Sequence, residues 1–242
     1  MKFFNGVIVV LLLLTSGCSR TTMREIGEKH QAEIEAVLAE LHTLAESIPK
    51  EDFDPESKQL DVELYMHVAD RMSNTVMGSK DNFSGNTKQI NDPTYFDMYA
   101  FAYKGMLEDR FLSQRAEPTF EAEIKAFIDL RYAIVYHPVD YRDAIITDKE
   151  FLIAPLKMVV AMYDRKAKKW LFVKTYNLEP PKEINFTFRE GQRESNAEFQ
   201  VKNYFIETVK PQIAQYIESQ FGGTIEFDHD AYRRDGTRRL PY

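Results

Sequence analysis

The chain has 242 residues, with 38 acidic and 31 basic side chains, which gives a formal net charge of −7 at pH 7. This acidic balance argues against nucleic-acid binding and against broad electrostatic adhesion to anionic lipid, since both require an excess of lysine and arginine. The 17 Phe and 13 Tyr are enough to form the core of one domain. Only one cysteine is present, so cysteine clusters that bind metals and intrachain disulfides are excluded.

The first 17 residues have the order of a secretory signal peptide. Lys2 supplies a positive charge, residues 7–14 form an uncharged apolar run, and small residues follow at 15–17. A helix needs about 20 apolar residues to span a bilayer, and this run is too short. The sequence therefore predicts a removable leader over residues 1–17, with an uncleaved anchor or an ordinary secreted leader as the alternatives.

The single cysteine stands directly after this leader. It and the residues before it resemble the lipobox of bacterial lipoproteins, which signal peptidase II recognises: Leu14, Thr15, Ser16, Gly17 and Cys18. The resemblance covers only the first 18 residues, and Thr15 departs from the commonest pattern, which has Leu there. It implies a lipid on the sulfur of Cys18, palmitate among its chains, and cleavage after Gly17. The mature chain would then be anchored to a membrane, outside the cytoplasm, by its lipid.

The residue after the cysteine indicates which membrane would hold the lipidated protein. In enterobacterial lipoproteins an Asp at this position tends to retain the protein in the inner membrane. By that resemblance, Ser19 implies transfer to the outer membrane, facing the periplasm, if the source is Gram-negative.

Residues 22–48 carry the clearest helical pattern. Apolar or amphipathic residues recur in steps of three and four, at Ile26, His30, Ile34, Val37, Leu41, Leu44 and Ile48. Two arrangements fit this stripe: packing on the chain's own domain, or a coiled-coil seam for a partner or a second copy. A helix standing away from the domain would span roughly 38 Å. We divide the mature chain into residues 18–50, the lipid-anchored cysteine and this helix, and residues 51–242, a single α+β domain.

The next part of the chain is predicted to be mainly helical. A charged loop over residues 50–61 precedes a helix over 62–77, in which Leu64, Val68, Met72 and Val76 are four residues apart. A further helix over 94–113 carries aromatic residues between 95 and 103, which fit either core packing or a pocket wall. A short helix is expected over 119–128.

From residue 131 the pattern changes to that of β-strands. Residues 131–137 are β-branched and aromatic, and Pro138 is expected to end this strand. Two apolar runs, 156–163 and 170–176, are joined by the charged turn 164–169, which predicts a β-hairpin. Residues 183–188 alternate and predict one more strand.

A long helix is expected near the C-terminus. Ser195 and Glu198 have the spacing of a capping box, and Gly222 and Gly223 are expected to terminate the helix. Residues 224–227 then return as an edge strand. Strands clustered between helical groups predict an α+β fold, in which the N-terminal amphipathic helix, further helices and the long C-terminal helix pack on an antiparallel sheet.

Chemically, the sequence contains no strong motif for nucleotide binding, nucleophilic catalysis or zinc binding. Residues 228–230, Asp-His-Asp, form a weak candidate metal site, and His137 with Asp140, Arg142 and Asp143 a weak acid–base cluster. A solvated turn and a polar loop explain these two features as well. His30, His42 and His67 are expected at the surface or at an interface. No metal or cofactor is predicted.

These observations favour a non-enzymatic role for a lipid-anchored envelope protein. The leading hypothesis is that it binds a partner protein, or supports an assembly at the membrane surface, with the partner or a second copy contacting residues 22–48. A small-molecule or glycan-binding module of the envelope is the first alternative. An envelope hydrolase is the second alternative.

Overall fold

The computed structural model of the chain describes residues 22–67, 72–83, 119–139, 145–146, 151–180 and 193–227. The helices are α1 (Met23–Glu46), α2 (Lys80–Phe83), α3 (Phe120–Ile128) and α4 (Arg193–Phe221). The strands are β1 (Tyr65–His67), β2 (Thr75–Ser79), β3 (Tyr132–Val139), β4 (Ile145–Ile146), β5 (Phe151–Leu152), β6 (Leu156–Asp164), β7 (Lys169–Leu178) and β8 (Thr224–Glu226). No helix in these described ranges is both long enough and apolar enough to cross a bilayer.

A four-stranded sheet with the order β2–β3–β6–β7 lies at the centre of the described structure. β6 pairs antiparallel with both β3 and β7, whereas β2 lies parallel to β3. The α+β prediction is therefore confirmed, but the sheet is mixed rather than antiparallel. β1 and β8 form a separate parallel pair, and β4 and β5 a short antiparallel pair.

Helices cover both faces of this sheet. Successive strand residues point to opposite faces, so Ala133 and Val135 join one core cluster while Tyr132, Ile134 and Tyr136 join the other. The first cluster is completed by α1, α2 and α3, and the second by α4. The described part of the chain therefore has three layers, with the sheet in the middle.

Helix α1 is an integral part of this core. A capping box fixes its start, because the Thr22 hydroxyl accepts the N–H of Glu25 and the Glu25 carboxylate accepts the N–H of Thr22. Five residues of the predicted stripe are buried in the first cluster: Ile26, Ile34, Val37, Leu41 and Leu44. His30 is also buried, and Ile48 is partly buried against the cluster. The stripe thus packs on the chain's own domain, and the helix does not stand away from it as a spacer.

The predicted helix over residues 62–77 is wrong, because β1 and β2 occupy this stretch. Two polar side chains between the strands explain the difference. The Ser73 hydroxyl accepts the N–H of His67 at 3.0 Å, and the Asn74 side-chain oxygen accepts the N–H of Tyr65 at 2.9 Å. Such hydrogen bonds to the backbone stabilise turns in competition with helices.

The C-terminal half follows the expected order of elements where it is described. The β6–β7 hairpin is confirmed, as is the helix over 119–128, which begins at Phe120. β3 continues past Pro138 to Val139, because β2 ends opposite Tyr136 and Pro138 is paired with β6 alone. The predicted helix over 94–113 and strand over 183–188 lie outside the described residues.

Candidate functional site beside the β6–β7 turn

The turn between β6 and β7 is fixed by the side chain of its first residue. One carboxylate oxygen of Asp164 accepts the backbone N–H groups of Lys166 and Ala167, at 2.9 and 2.8 Å. An aspartate that bonds the backbone two residues further on is a common way of stabilising a turn. Lys168 then adopts a left-handed conformation, with φ of 54°.

The other oxygen of Asp164 forms a buried ion pair. Nη2 of Arg131 donates to it at 2.7 Å, and the two side chains are only 9% and 6% exposed. Burial acts to lower the pKa of Arg131, but the hydrogen bond and charge of Asp164 outweigh it and raise that pKa. Asp61, whose side chain is 85% exposed, lies 3.3 Å from the same nitrogen. Arg131 therefore connects the turn to the segment that carries Asp61.

A second group of charges joins the turn to α1. Glu40 accepts hydrogen bonds from Arg165 at 2.9 Å and from Lys168 at 2.6 Å. Partial burial acts to raise the pKa of Glu40, but the hydrogen bonds from Lys168 and Arg165 outweigh it and keep the pKa below its ordinary value. Arg165 also donates to the carbonyl oxygen of Leu130 at 2.6 Å. The turn is thus attached to α1 and to the chain just after α3.

A cleft of about 150 Å³ lies between this turn and the segment 55–61. Its charged and aromatic lining comes from Glu56, Asp61, Asp164, Lys169 and Trp170. Pockets for drug-sized ligands usually measure about 300–1,000 Å³, so this cleft suits a single side chain or a small polar molecule. Glu56, Asp61 and Lys169 offer charged hydrogen-bonding groups, and Trp170 offers a flat apolar wall.

The segment that forms the other wall of the cleft is held on the outer edge of β7. Phe53 and Val173 exchange two backbone hydrogen bonds, of 2.9 and 3.0 Å. The Asp52 carboxylate accepts the N–H and the hydroxyl of Thr175, at 2.8 and 2.7 Å. These four hydrogen bonds fix the start of the segment, so the cleft has a positioned wall on each side.

Another polar cluster joins α1 to α3. The ring of His30, which is 7% exposed, lies 2.7 Å from a carboxylate oxygen of Glu33 and 3.3 Å from one of Glu121. Lys29 donates to the same Glu121 oxygen at 2.6 Å, and Lys125 lies 3.3 Å from it. The hydrogen bonds from Lys29, His30 and Lys125 lower the pKa of Glu121 to about 2. This cluster fixes the first turn of α3 on α1.

Most of the residues singled out from the sequence lie outside the described residues. They are residues 14–18, the aromatic residues at 95–103, residues 140–143 and residues 228–230. His137 lies near the end of β3 and is partly exposed, and His42 is exposed on α1. The expectation that His30 and His67 are surface or interface residues is wrong, because both are buried. His67 lies on β1, with its ring 3.2 Å from Glu226 of β8.

The sequence predicts a charged turn over residues 164–169 and does not indicate the buried pair Arg131–Asp164. One signal was available, since Asp at the start of a turn often accepts nearby backbone N–H groups. The arginine partner stands 33 residues away. Nothing in the local pattern connects these two positions.

Comparison of the chain with protein-family models, curated proteins and solved structures gives no match. Within the described ranges, no group of three or more His, Asp or Glu side chains is arranged to hold a metal ion. The site is therefore interpreted from its own geometry.

Proposed function

We propose that this protein is a lipid-anchored envelope protein with a non-enzymatic role, binding a partner or supporting an assembly at the membrane surface. The observation that carries the proposal is the position of Cys18, directly after an apolar leader and four residues before the capping box at Thr22. Because α1 belongs to the core, a lipid on Cys18 would attach almost directly to a folded body. If the source is Gram-negative, Ser19 favours the outer membrane, facing the periplasm.

Replacing the lipidated residue tests the anchor. We expect Cys18→Ser to release the protein from the membrane fraction and to abolish incorporation of labelled palmitate, because the thiol is the acceptor of the lipid. Thr21→Ala, which leaves the lipobox intact, is the matched control and should remain anchored. Continued palmitate labelling of the Cys18→Ser chain would contradict the proposal.

The partner-binding surface that we propose is the outer face of α1. The inner stripe is buried, whereas the outer face exposes two glutamates among alanines and uncharged polar side chains: Glu28, Gln31, Ala32, Glu35, Ala36, Ala39, His42 and Thr43. A partner with a basic surface would complement these glutamates, and the small side chains would allow close approach. The cleft beside the β6–β7 turn is the corresponding site for the alternative function, binding of a small polar ligand.

Crosslinking in living cells tests where a partner binds. A photocrosslinking residue would replace Glu35 on α1, Ser57 beside the cleft, or Gln215 on the exposed side of α4, which is the control. We expect one dominant protein adduct from position 35 and none from position 215. The same adducts from both positions, or none from position 35, would contradict binding through α1. An adduct from position 57 alone would move the partner site to the cleft.

A further inference from the structure

We infer that the end of the molecule formed by the first turns of α1 and α3 lies against lipid headgroups, with the cleft beside the β6–β7 turn facing away from the bilayer. This inference rests on the proposed lipid at Cys18. It adds the orientation of the domain that the lipid would hold.

The length of the tether restricts how far the domain can move from the membrane. Only Ser19, Arg20 and Thr21 separate Cys18 from Thr22, which belongs to the capping box of α1. A fully extended chain covers at most about 3.6 Å per residue, so Cys18 and Thr22 are at most about 14 Å apart. The start of α1 must therefore stay close to the headgroups that surround the lipid.

The start of α1 cannot separate from its neighbour α3. Ile26 is 6% exposed and packs in one cluster with Phe120 and Ile124 of α3. On the surface, Glu121 accepts a 2.6 Å hydrogen bond from Lys29. These contacts join the first turns of the two helices, so the short tether holds both at the membrane.

The charges at this end fit a headgroup surface only weakly, so the short tether rather than charge carries the inference. The side chains of Arg24, Lys29 and Lys125 are 49%, 60% and 57% exposed. Basic side chains near the surface are attracted to anionic lipid headgroups. Glu28 and Glu121 pair with these three cations and reduce this attraction.

The cleft lies towards the other end of α1. The β6–β7 turn is attached to Glu40, which stands 18 residues after Thr22. At 1.5 Å per residue this is about 27 Å along the helix axis. A partner or ligand that enters the cleft would therefore approach from the aqueous side rather than from the bilayer.

Fluorescence quenching tests this orientation on the full lipidated protein. Because the lipid consumes the only native thiol, a cysteine introduced by Glu28→Cys or Lys166→Cys would be the only free thiol. Both positions are exposed, the first near the tethered end and the second in the β6–β7 turn. Each variant would be labelled with a fluorophore and placed in phosphatidylcholine vesicles that contain a lipid with a nitroxide headgroup.

We expect quenching at position 28 to be several-fold stronger than at position 166. A flexible Gly-Ser insertion between Thr21 and Thr22 should reduce the quenching at position 28 to the level of position 166. Equal quenching at both positions, or stronger quenching at position 166, would overturn the inference. Gln31→Cys serves as the proximal position if Glu28→Cys does not fold.

The same samples separate this inference from the proposed anchor. Flotation with the vesicles and the acyl mass on the N-terminal peptide report lipidation directly. A protein that floats and carries the acyl mass but shows equal quenching contradicts the orientation alone. A protein without the acyl mass contradicts the anchor and the orientation together.

Discussion

The side chains of Arg131 and Asp164 are each more than nine-tenths buried. When one partner is removed, the charge of the other therefore stays shielded from water. We expect Asp164→Ala to lower the free energy of unfolding by about 3–5 kcal/mol, because the buried guanidinium of Arg131 would lose its buried counter-ion and keep only the solvent-exposed Asp61. The substitution also removes the acceptor of the Lys166 and Ala167 N–H groups, which adds to the loss. Urea unfolding of the mature chain with Cys18→Ser, with and without Asp164→Ala, measures the effect.

The exposed partner of the same arginine provides the control. Asp61 is 85% exposed and lies 3.3 Å from Arg131, so its ion pair is screened by water. Asp61→Ala should change the free energy of unfolding by no more than about 0.5 kcal/mol. Similar losses from both variants would show that burial does not decide the strength of these ion pairs.

Glu121 gives the stability of the chain a dependence on pH. Hydrogen bonds from Lys29, His30 and Lys125 lower its pKa from the ordinary value of 4.5 to about 2 in the folded state. Because the pKa is lower in the folded state, the stabilising contribution of Glu121 is complete above pH 4.5 and is lost as the pH falls towards 2. We expect the difference in free energy of unfolding between the wild-type chain and Glu121→Gln to shrink across this window.

Urea unfolding at several pH values between 4.5 and 2 measures this difference. Glu28→Gln is the control, because Glu28 is exposed and its cation, Arg24, lies 3.9 Å away. Its difference from the wild-type chain should change less over the same window. If the difference between the wild-type chain and Glu121→Gln stays constant from pH 4.5 to 2, the pKa of Glu121 is not lowered in the folded state.

At the level of elements, the sequence predicts best where one face of an element is buried along its full length. The stripe of α1 repeats in steps of three and four because successive turns of the helix bury side chains in the first core cluster. The β6–β7 hairpin was predictable because two apolar runs flank a short charged turn. In both cases the local pattern reflects the burial that the fold imposes.

The elements around β1 and β2 were not predictable from periodicity. Leu64 and Val76 are buried, and with Val68 and Met72 they are four residues apart, which imitates a helical stripe. Both buried residues lie in or beside short strands, so the shared spacing is incidental. β2 pairs in parallel with β3, although β2 ends at residue 79 and β3 starts only at residue 132. No local pattern specifies a pairing between positions so far apart in the chain.

The candidate site combines predictable and unpredictable parts. The segment 55–61 was predicted to be a loop and the turn 164–169 to be polar, but the cleft arises only because β7 brings them together. Arg131 pairs with Asp164 through the antiparallel register of β3 and β6, which places Tyr132 opposite Asp164. Long-range register of this kind is a property of the sheet and cannot be read from either strand alone.

At the scale of the whole molecule, the chain after α4 returns to a segment near its beginning. β8 pairs in parallel with β1, in the register that places Thr224 opposite Tyr65. The N–H of Thr224 donates to the carbonyl oxygen of Leu64 at 2.9 Å, so the last glycine before β8 passes directly over that residue. This contact links the part of the chain before the central sheet to the part after α4.

Gly223 makes this close approach possible, and an alanine there should disrupt it. Its φ is +86°, and an added Cβ would collide with the carbonyl oxygen of Leu64. We expect Gly223→Ala to lower the free energy of unfolding by more than about 2 kcal/mol, through the strained backbone and the collision together. Gly222 is the matched control, because its φ is +69° and an added Cβ would meet nothing within 4 Å. Gly222→Ala should cost only the backbone strain, about 1 kcal/mol. Urea unfolding of the two variants measures both effects, and equal losses would show that contact with Leu64 does not limit the residue at position 223.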